Sequence, residues 1–400
     1  MIDLKKNVAK NKRPKYYAVF IILSLLPQIL GINSVILGTL WKVVVLLFLL
    51  FLVSNKVNDN KISLTGLYYL IFYLLINSIC LLADFKVTIA TILNIGISVL
   101  LVYLFFDCPI KEKKLSNSDI LGFFRIFACF MVVACIFNMI VNIRQLFNIA
   151  SISIYGSDAT KSFFDNKNTF GVFLIFGTIS ATFLKVVGGN NKWLFAMMIF
   201  LLNEVMAMCR TAIVLTLFFI IVSFLVGDSK TLKSRIIALF VVLVTVISLY
   251  FSNSTIRNFI DNNLFGNTDS LDTRDGYIEK MLPLAKGIRL FFGYGEERSI
   301  ELAGQYAGNR YYHNTYLHLL MNGGLLKIIL FAVGVLYSLK NTIKLCKINK
   351  KKGRMCLATI IAYLIYASIE SVILFDTPVV AMVATIFVIS IPQWFLNAEN

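Results

Sequence analysis

Long apolar runs separated by short polar segments dominate the chain. The runs are continuous, without the apolar–polar alternation of barrel strands. A helix of about 20 apolar residues crosses the hydrocarbon core of a bilayer, where the backbone must satisfy its own hydrogen bonds. The runs therefore predict about 12 transmembrane helices. The predicted spans are 16–33, 36–53, 62–82, 87–106, 120–142, 168–187, 192–209, 211–227, 236–252, 314–338, 357–375 and 378–396.

Composition agrees with a chain solvated mostly by lipid. Of the 400 residues, 58% are hydrophobic and 15% are charged, and a soluble protein would leave many of these runs exposed. The net charge of +17 would suit a nucleic-acid-binding protein, but most of it lies in short polar segments between spans. No nucleic-acid partner is therefore expected. The fold class is an all-α polytopic membrane protein, with residues 1–400 as one membrane domain.

Lysine and arginine are concentrated on one side of the predicted topology. With the amino terminus inside, the loops after spans 2, 4, 6, 8 and 10 all carry basic residues. These are Lys56 with Lys61, the 111–114 cluster, Lys192, the 230–235 cluster and the 340–354 cluster. Because such residues mark the cytoplasmic face, both termini are predicted to be cytoplasmic. The localisation that follows is the bacterial cytoplasmic membrane, multi-pass, with the basic amino-terminal stretch as a signal anchor.

The polar segment 253–313 is the one large extracytoplasmic loop. It is too long to be a simple connector, so it is a functional candidate. Asp272 or Thr273 can cap a short helix that ends or kinks at Pro283, and Gly293-Tyr294-Gly295 predicts a turn. That helix is interpreted either as a lid over a cavity at the membrane edge or as an ordinary amphipathic surface helix.

Arginines and one histidine mark a candidate active site on the outer side. Arg210 lies at the junction of spans 7 and 8, and Arg274 and Arg289 lie in the loop. A guanidinium keeps its charge and can bind phosphate through two parallel hydrogen bonds, which suits a lipid diphosphate held just outside the bilayer. Each arginine alone also fits a surface position near the headgroups. His313, where the loop re-enters the membrane, can serve as a general base or donate a hydrogen bond to phosphate.

Other polar side chains are expected around this site. The tyrosine side chains near the point where the loop re-enters the membrane suit sugar binding, although interfacial tyrosines also form aromatic belts. Charges inside spans need a reason, so Glu204 and Glu370 are expected to pair with a site arginine or to shape the cavity. Lys327, shortly after Asn322-Gly323-Gly324, predicts a break or water access partway through span 10. The predicted substrate-binding residues are Arg289, Asn314, Tyr277, Tyr312, Tyr316, Asn168, Glu204 and Glu370.

Four short motifs occur in a characteristic order. They are Asp165-Asn166-Lys167-Asn168-Thr169-Phe170-Gly171, Cys209-Arg210-Thr211-Ala212, Thr273-Arg274 with Gly293-Tyr294-Gly295, and His313-Asn314-Thr315-Tyr316-Leu317. In order and placement they resemble the O-antigen polymerase (Wzy) and O-antigen ligase superfamily of multispan glycosyltransferases, over roughly 166–326. The resemblance implies catalytic roles for Arg210, Arg274 and His313, with Arg289 as an addition. Lys327 departs from the small or apolar pattern of the family.

The resemblance implies a polymerase that joins undecaprenyl-diphosphate-linked oligosaccharide repeat units on the outer face of the membrane. The sugar–phosphate bond is already activated, and arginines can stabilise the leaving diphosphate in place of a metal, so no cofactor and no metal are expected. The alternatives are a ligase of the same superfamily and a flippase or other transporter. The expected partners are the lipid-linked oligosaccharides, the bilayer, a flippase and a chain-length regulator. Capsule, O-antigen and exopolysaccharide all stay open as products.

Overall fold

The fold is built from helices throughout the part of the chain that the structure describes. This computed structural model describes residues 13–29, 35–54, 62–84, 89–111, 115–148, 159–226, 276–308 and 312–399, with isolated positions between 237 and 261. No strand occurs in these ranges. Six of the described helices are long and apolar enough to cross a membrane. The protein is thus an all-α, multi-pass membrane protein, and the number of 12 spans stays a prediction.

The amino-terminal helices follow the predicted spans closely. They are α1 (Arg13–Ser24), α2 (Leu26–Ile29), α3 (Val35–Ser54), α4 (Leu64–Asp84), α5 (Ile89–Val102), α6 (Cys108–Lys111), α7 (Asn117–Val141), α8 (Ile143–Phe147), α9 (Lys167–Val186), α10 (Lys192–Met206) and α11 (Arg210–Leu225). A π-helical turn at Tyr103–Asp107 joins α5 to α6. The predicted span 236–252 and most of the predicted loop before residue 276 lie outside the described residues.

The carboxyl-terminal part begins with short helices and ends with long ones. Residues 276–281 are helical and are followed by a 3₁₀ turn at Leu282–Leu284, so the predicted helix ends where Pro283 was expected to end it. The remaining helices are α12 (Ile288–Phe292), α13 (Glu296–Ala307), α14 (Thr315–Ile348), α15 (Lys350–Ile369), α16 (Val379–Thr385) and α17 (Ile391–Glu399), with a π-helical turn at Ile386–Ser390.

Two predicted boundaries are wrong in this part. Helix α14 continues to Ile348 and α15 begins at Lys350, so the basic segment 340–354 forms two helix ends and is not a loop. Lysine is a good helix former, and a helix can extend beyond the hydrocarbon core. At its other end α15 stops at Ile369 and not at residue 375. The segment 370–378, which follows the end of α15, is non-helical and lines both polar sites described below.

Helix α9 is the central helix of the amino-terminal half. Every residue from Phe170 to Leu184 is buried, as expected of a helix with neighbours on all sides. Aromatic rings make much of this packing, since the rings of Phe124 and Phe183 stack with centroids 4.5 Å apart. This packing fixes the position of the amino-terminal end of α9, which carries a motif of the sequence analysis.

Asparagine side chains begin the two helices that open with such motifs. The Oδ1 atom of Asn166 accepts a hydrogen bond from the Thr169 N–H, and that of Asn314 accepts one from the Leu317 N–H. Each cap satisfies one of the N–H groups that the first turn of a helix leaves unpaired. The first turns of α9 and α14 are therefore well defined, and these turns carry the candidate site.

Candidate functional site at the ends of α9, α11, α14 and α15

The start of α14 is bound to the segment that follows α15. The Thr315 hydroxyl donates to the backbone carbonyl of Glu370 over 2.9 Å and accepts from the Val372 N–H over 2.9 Å. The Asn314 amide donates to the Ser368 carbonyl over 3.0 Å. These bonds hold residue 313 beside residue 370, although the two are distant in sequence.

His313 and Glu370 form a pair at this junction. The His313 Nδ1 atom lies 3.3 Å from the Glu370 Oε2 atom, and the side chains are 30% and 17% exposed. A carboxylate beside Nδ1 favours the tautomer that carries the proton there and leaves Nε2 as an acceptor. The pair is therefore accessible and oriented as a general base requires. The structure places Glu370 beside His313, and the expectation that it pairs with an arginine or shapes the cavity stays a prediction.

Arg210 and Lys167 lie at adjacent helix starts. A Cβ atom on Gly171 of α9 would lie 2.3 Å from the Cys209 Sγ atom, so this glycine lets α9 approach the residue that precedes α11. The charges of Lys167 and Arg210 interact, and the charges of Lys167 and Glu370 both act on Cys209. The two cations therefore share one electrostatic neighbourhood with the His313–Glu370 pair. We call Lys167, Arg210, His313 and Glu370 the His313 cluster.

Lys167 was not among the predicted site residues. Its signal was its place in the motif that opens α9, at the end of a span on the side predicted to be extracytoplasmic. A basic residue there runs against the positive-inside preference and against the cost of charge at a span. Counting basic residues only in the predicted cytoplasmic loops overlooks a lysine on the opposite side of the membrane.

The loop arginines have different outcomes. Arg289 donates through Nη1 to the Gly293 carbonyl over 3.1 Å, and its guanidinium lies 5.0 Å from the centroid of the Tyr294 ring. This hydrogen bond and this cation–π contact stabilise the glycine turn, and the expected role of Arg289 in substrate binding stays a prediction. Arg274 lies outside the described residues.

The predicted glycine turn docks onto a break in α14. Gly293 and Gly295 have φ values of 65° and 80°. The Tyr294 and Gly295 N–H groups donate to the carbonyls of Met321 and Asn322 over 2.8 and 2.9 Å. These carbonyls are available because α14 leaves helical geometry just beyond them. The turn is thus attached to α14 through its backbone.

The break itself is the one predicted at Gly323-Gly324. Gly324 has a φ of 64°, and a Cβ atom there would lie 2.3 Å from the backbone carbon of Phe291. A Cβ atom on Gly293 would lie 2.5 Å from the backbone of Asn322. Both positions need glycine, because the two backbones touch and the chain adopts a left-handed conformation. Lys327 donates to the Asn322 Oδ1 atom over 2.9 Å, just beyond the break.

The predicted tyrosines mainly hold the loop helices against α14. The Tyr312 hydroxyl donates to the Ser299 carbonyl over 2.9 Å, and its ring stacks on His318 with centroids 4.4 Å apart. Tyr277 meets Tyr312 edge to face at 5.7 Å. The Tyr316 hydroxyl donates to the Leu364 carbonyl over 3.1 Å. The hydroxyls of Tyr312 and Tyr316 therefore bind backbone carbonyls in this structure, and their expected sugar contacts stay a prediction.

The remaining predicted residues divide between the site and the interior. Asn168 lies half-buried in the first turn of α9, next to Lys167. Asn314 is a helix cap that also joins α14 to α15. Glu204 is fully buried, and its Oε1 atom accepts a hydrogen bond from the Thr216 hydroxyl over 2.6 Å. This bond lies between α10 and α11, and the charge of Glu204 acts on Cys209 as those of Lys167 and Glu370 do, so its predicted role at the site stays a prediction.

Comparison with protein families agrees with the motifs. Residues 195–332 match the family model Wzy_C, described as O-antigen ligase. The resemblance to the O-antigen polymerase and ligase superfamily is confirmed. The Wzy_C segment contains Arg210, Arg274 and His313, whereas Lys167 and Glu370 lie on either side of it. No curated protein matches the chain at a significant level.

Proposed function

We propose that this protein is a polysaccharide polymerase that joins undecaprenyl-diphosphate-linked oligosaccharide repeat units on the outer face of the bacterial cytoplasmic membrane. One observation carries the proposal. The His313–Glu370 pair shares a neighbourhood with the cations Lys167 and Arg210, in a chain whose Wzy_C segment belongs to a glycan-transferring enzyme family. A base beside cations is what transfer from a lipid diphosphate requires.

In the proposed reaction, an acceptor hydroxyl oxygen attacks the anomeric carbon of a glycan attached to its lipid diphosphate. The new glycosidic bond forms as the carbon–oxygen bond to the diphosphate breaks, and the bonding electron pair leaves with the diphosphate. His313 takes the hydroxyl proton through Nε2, and Glu370 stabilises the imidazolium that results. Arg210 offsets the charge on the departing diphosphate, together with Arg274 of the loop.

The experiment is polymerisation in vitro by the purified full-length protein, with lipid-linked repeat units as substrate. His313→Ala, Arg210→Ala and Arg274→Ala should each shorten or abolish the lipid-linked glycan ladder. Arg298→Ala is the matched control, because Arg298 is an exposed loop arginine whose Nη1 atom lies 2.9 Å from Glu301. Normal chain growth by all three site variants would overturn the assignment.

Metal independence belongs to the same proposal. Within the described ranges, no three histidine, cysteine, aspartate or glutamate side chains gather as ligands for one ion. The proposed cations offset the diphosphate charge directly. Treatment with EDTA should leave chain growth unchanged, and a loss of activity that added metal restores would contradict this part of the proposal.

A ligase of the same superfamily is the second candidate, because O-antigen ligase is the description of the matching family. The chemistry at the lipid diphosphate would be the same, and the acceptor distinguishes the two enzymes. Growth of the lipid-linked ladder identifies a polymerase. Transfer of the finished glycan onto a lipid core, a protein or a wall polymer identifies a ligase.

A further inference from the structure

A second polar site lies on the other side of the segment that carries Glu370. It is a cavity of about 280 Å³ lined by side chains from α3, α4, α5, α13 and α14 and from the non-helical segment 370–378. Asp376 of that segment lines it, as do Leu319 and Asn322 of α14. The two chain segments that meet at the His313 cluster therefore also form walls of this cavity.

The cavity lacks the surplus positive charge of the His313 cluster. Its charged lining comprises Lys42, Lys327, Glu296, Glu297 and Asp376, so two ammonium groups oppose three carboxylates. One ammonium, that of Lys327, already donates to Asn322. Burial and the neighbouring Glu296 raise the pKa of Asp376 from 3.8 to about 7. Asp376 is therefore only partly ionised near neutral pH, and Glu296 and Glu297 balance the two ammonium groups. Because the cavity has no surplus positive charge, a phosphate or a carboxylate would lose its hydration there without gaining a counter-ion.

The uncharged lining is suited to a sugar. Tyr73 and Phe375 present aromatic rings whose centroids are 6.3 Å apart, and the Tyr73 hydroxyl fixes this wall by donating to the Phe375 carbonyl over 3.2 Å. Asn94 contributes an amide whose buried Oδ1 atom has no hydrogen-bond partner in the described part of the chain. A ligand hydroxyl would donate a hydrogen bond to this orphaned buried acceptor.

We propose that this cavity binds one uncharged or amino-bearing sugar ring of the lipid-linked glycan and excludes sugars that carry a carboxylate. The inference rests on the proposed function, because it assigns the sugar part of the same substrate. The anionic diphosphate binds at the His313 cluster, and the sugar ring enters the cavity along the segment 370–376. The cavity has room for at least one sugar ring.

Saturation-transfer NMR on the full-length protein in detergent tests this directly. The probes are the methyl glycosides of glucose, glucosamine and glucuronic acid. Saturation transfer from the wild-type protein to the glycosides of glucose and glucosamine should be at least several-fold stronger than transfer to the glucuronide. Equal saturation of all three, or none of any, would overturn the proposal.

Two variants locate the binding. Asn94→Leu removes the orphaned acceptor, and Ser98→Leu fills the cavity from the next turn of the same helix, so each should abolish the difference between the glycosides. Asn190→Leu, at an exposed turn, is the matched control and should bind as the wild type does. Unchanged binding in both cavity variants, with melting curves like the wild type, would place the sugar elsewhere.

The polymerisation assay separates a failure here from a failure of the proposed function. If the cavity variants lose glycoside binding and His313→Ala keeps it, the sugar site is independent of the catalytic assignment. If the cavity variants extend glycans normally while His313→Ala does not, only the sugar site is wrong. If His313→Ala polymerises normally while Asn94→Leu abolishes glycoside binding, only the catalytic assignment is wrong.

Discussion

The His313 cluster and the polar cavity are built from the same two chain segments but differ in charge. The cluster contains two cations, one imidazole and one carboxylate. In the cavity, Glu296 and Glu297 balance two ammonium groups, and Asp376 has a raised pKa. A lipid-linked glycan has the same division, because its diphosphate is anionic and its sugars are mostly uncharged. Under the proposed function, the two environments divide one substrate between them: the cationic cluster binds the diphosphate, and the cavity binds a sugar and offers no counter-charge to an anion.

The largest effect should come from removing the imidazole from the cluster. We expect His313→Ala to slow chain growth by about 10²–10⁴-fold, the usual contribution of a general base. Glycoside saturation in the cavity should not change, because Asn94 and Asp376 are untouched. The rate of ladder extension and the NMR signal, measured on the same preparation, check both parts, and a joint loss would mean that the two sites are not separate.

Breaking the contact between the loop and α14 should affect both sites. We expect Gly324→Ala to destabilise the protein by about 1–3 kcal/mol, because the residue has a φ of 64° and its Cβ would meet the backbone of Phe291. Thermal unfolding in detergent measures the loss. Gly276→Ala is the matched control, since a Cβ there meets nothing within 4 Å. Equal melting temperatures for the two variants would argue against the docked turn.

Substitution of Lys167 tests whether the His313 cluster acts as a cationic site. We expect Lys167→Ala to slow chain growth by about tenfold, within the typical range for a charge that contacts a diphosphate. Lys167→Arg should restore most of the rate, because only the charge is required. Lys161→Ala is the control, since Lys161 is exposed and donates to the backbone carbonyl of Asp165. An arginine variant as slow as the alanine variant would indicate a packing role.

The smallest effect should be the pH dependence of the cavity. Asp376 faces Glu296, Lys327 and Lys42, and its pKa is raised from 3.8 to about 7. The folded state therefore holds a proton between about pH 4 and pH 7 that the unfolded chain has lost, so the carboxyl weakens the fold as pH rises through about 7. We expect Asp376→Asn to melt a few degrees higher than the wild type at pH 8 and at nearly the same temperature at pH 4. A constant difference across this range would assign Asp376 another role.

Features governed by neighbouring residues could be predicted from the sequence. Continuous apolar runs gave the helices, because lipid leaves the backbone no other choice. The break at Gly323-Gly324 and the helix end at Pro283 followed from the backbone conformations that glycine and proline allow or prevent. The predicted start of α15 at residue 357 was wrong because the basic residues before it are also helical, and the helix begins at Lys350.

The partners of the functional side chains were decided only by the tertiary structure. Charge and position alone marked Arg289, Glu370 and Arg210 as similar candidates. Packing between helices placed Glu370 beside His313 and brought Lys167 near Arg210. Arg289 forms its hydrogen bond within its own glycine turn. The cavity has the same origin, since Lys42, Asn94 and Asp376 converge only when distant helices assemble. Local sequence determines which helices form, whereas the pairing of charges depends on long-range contacts that no single segment encodes.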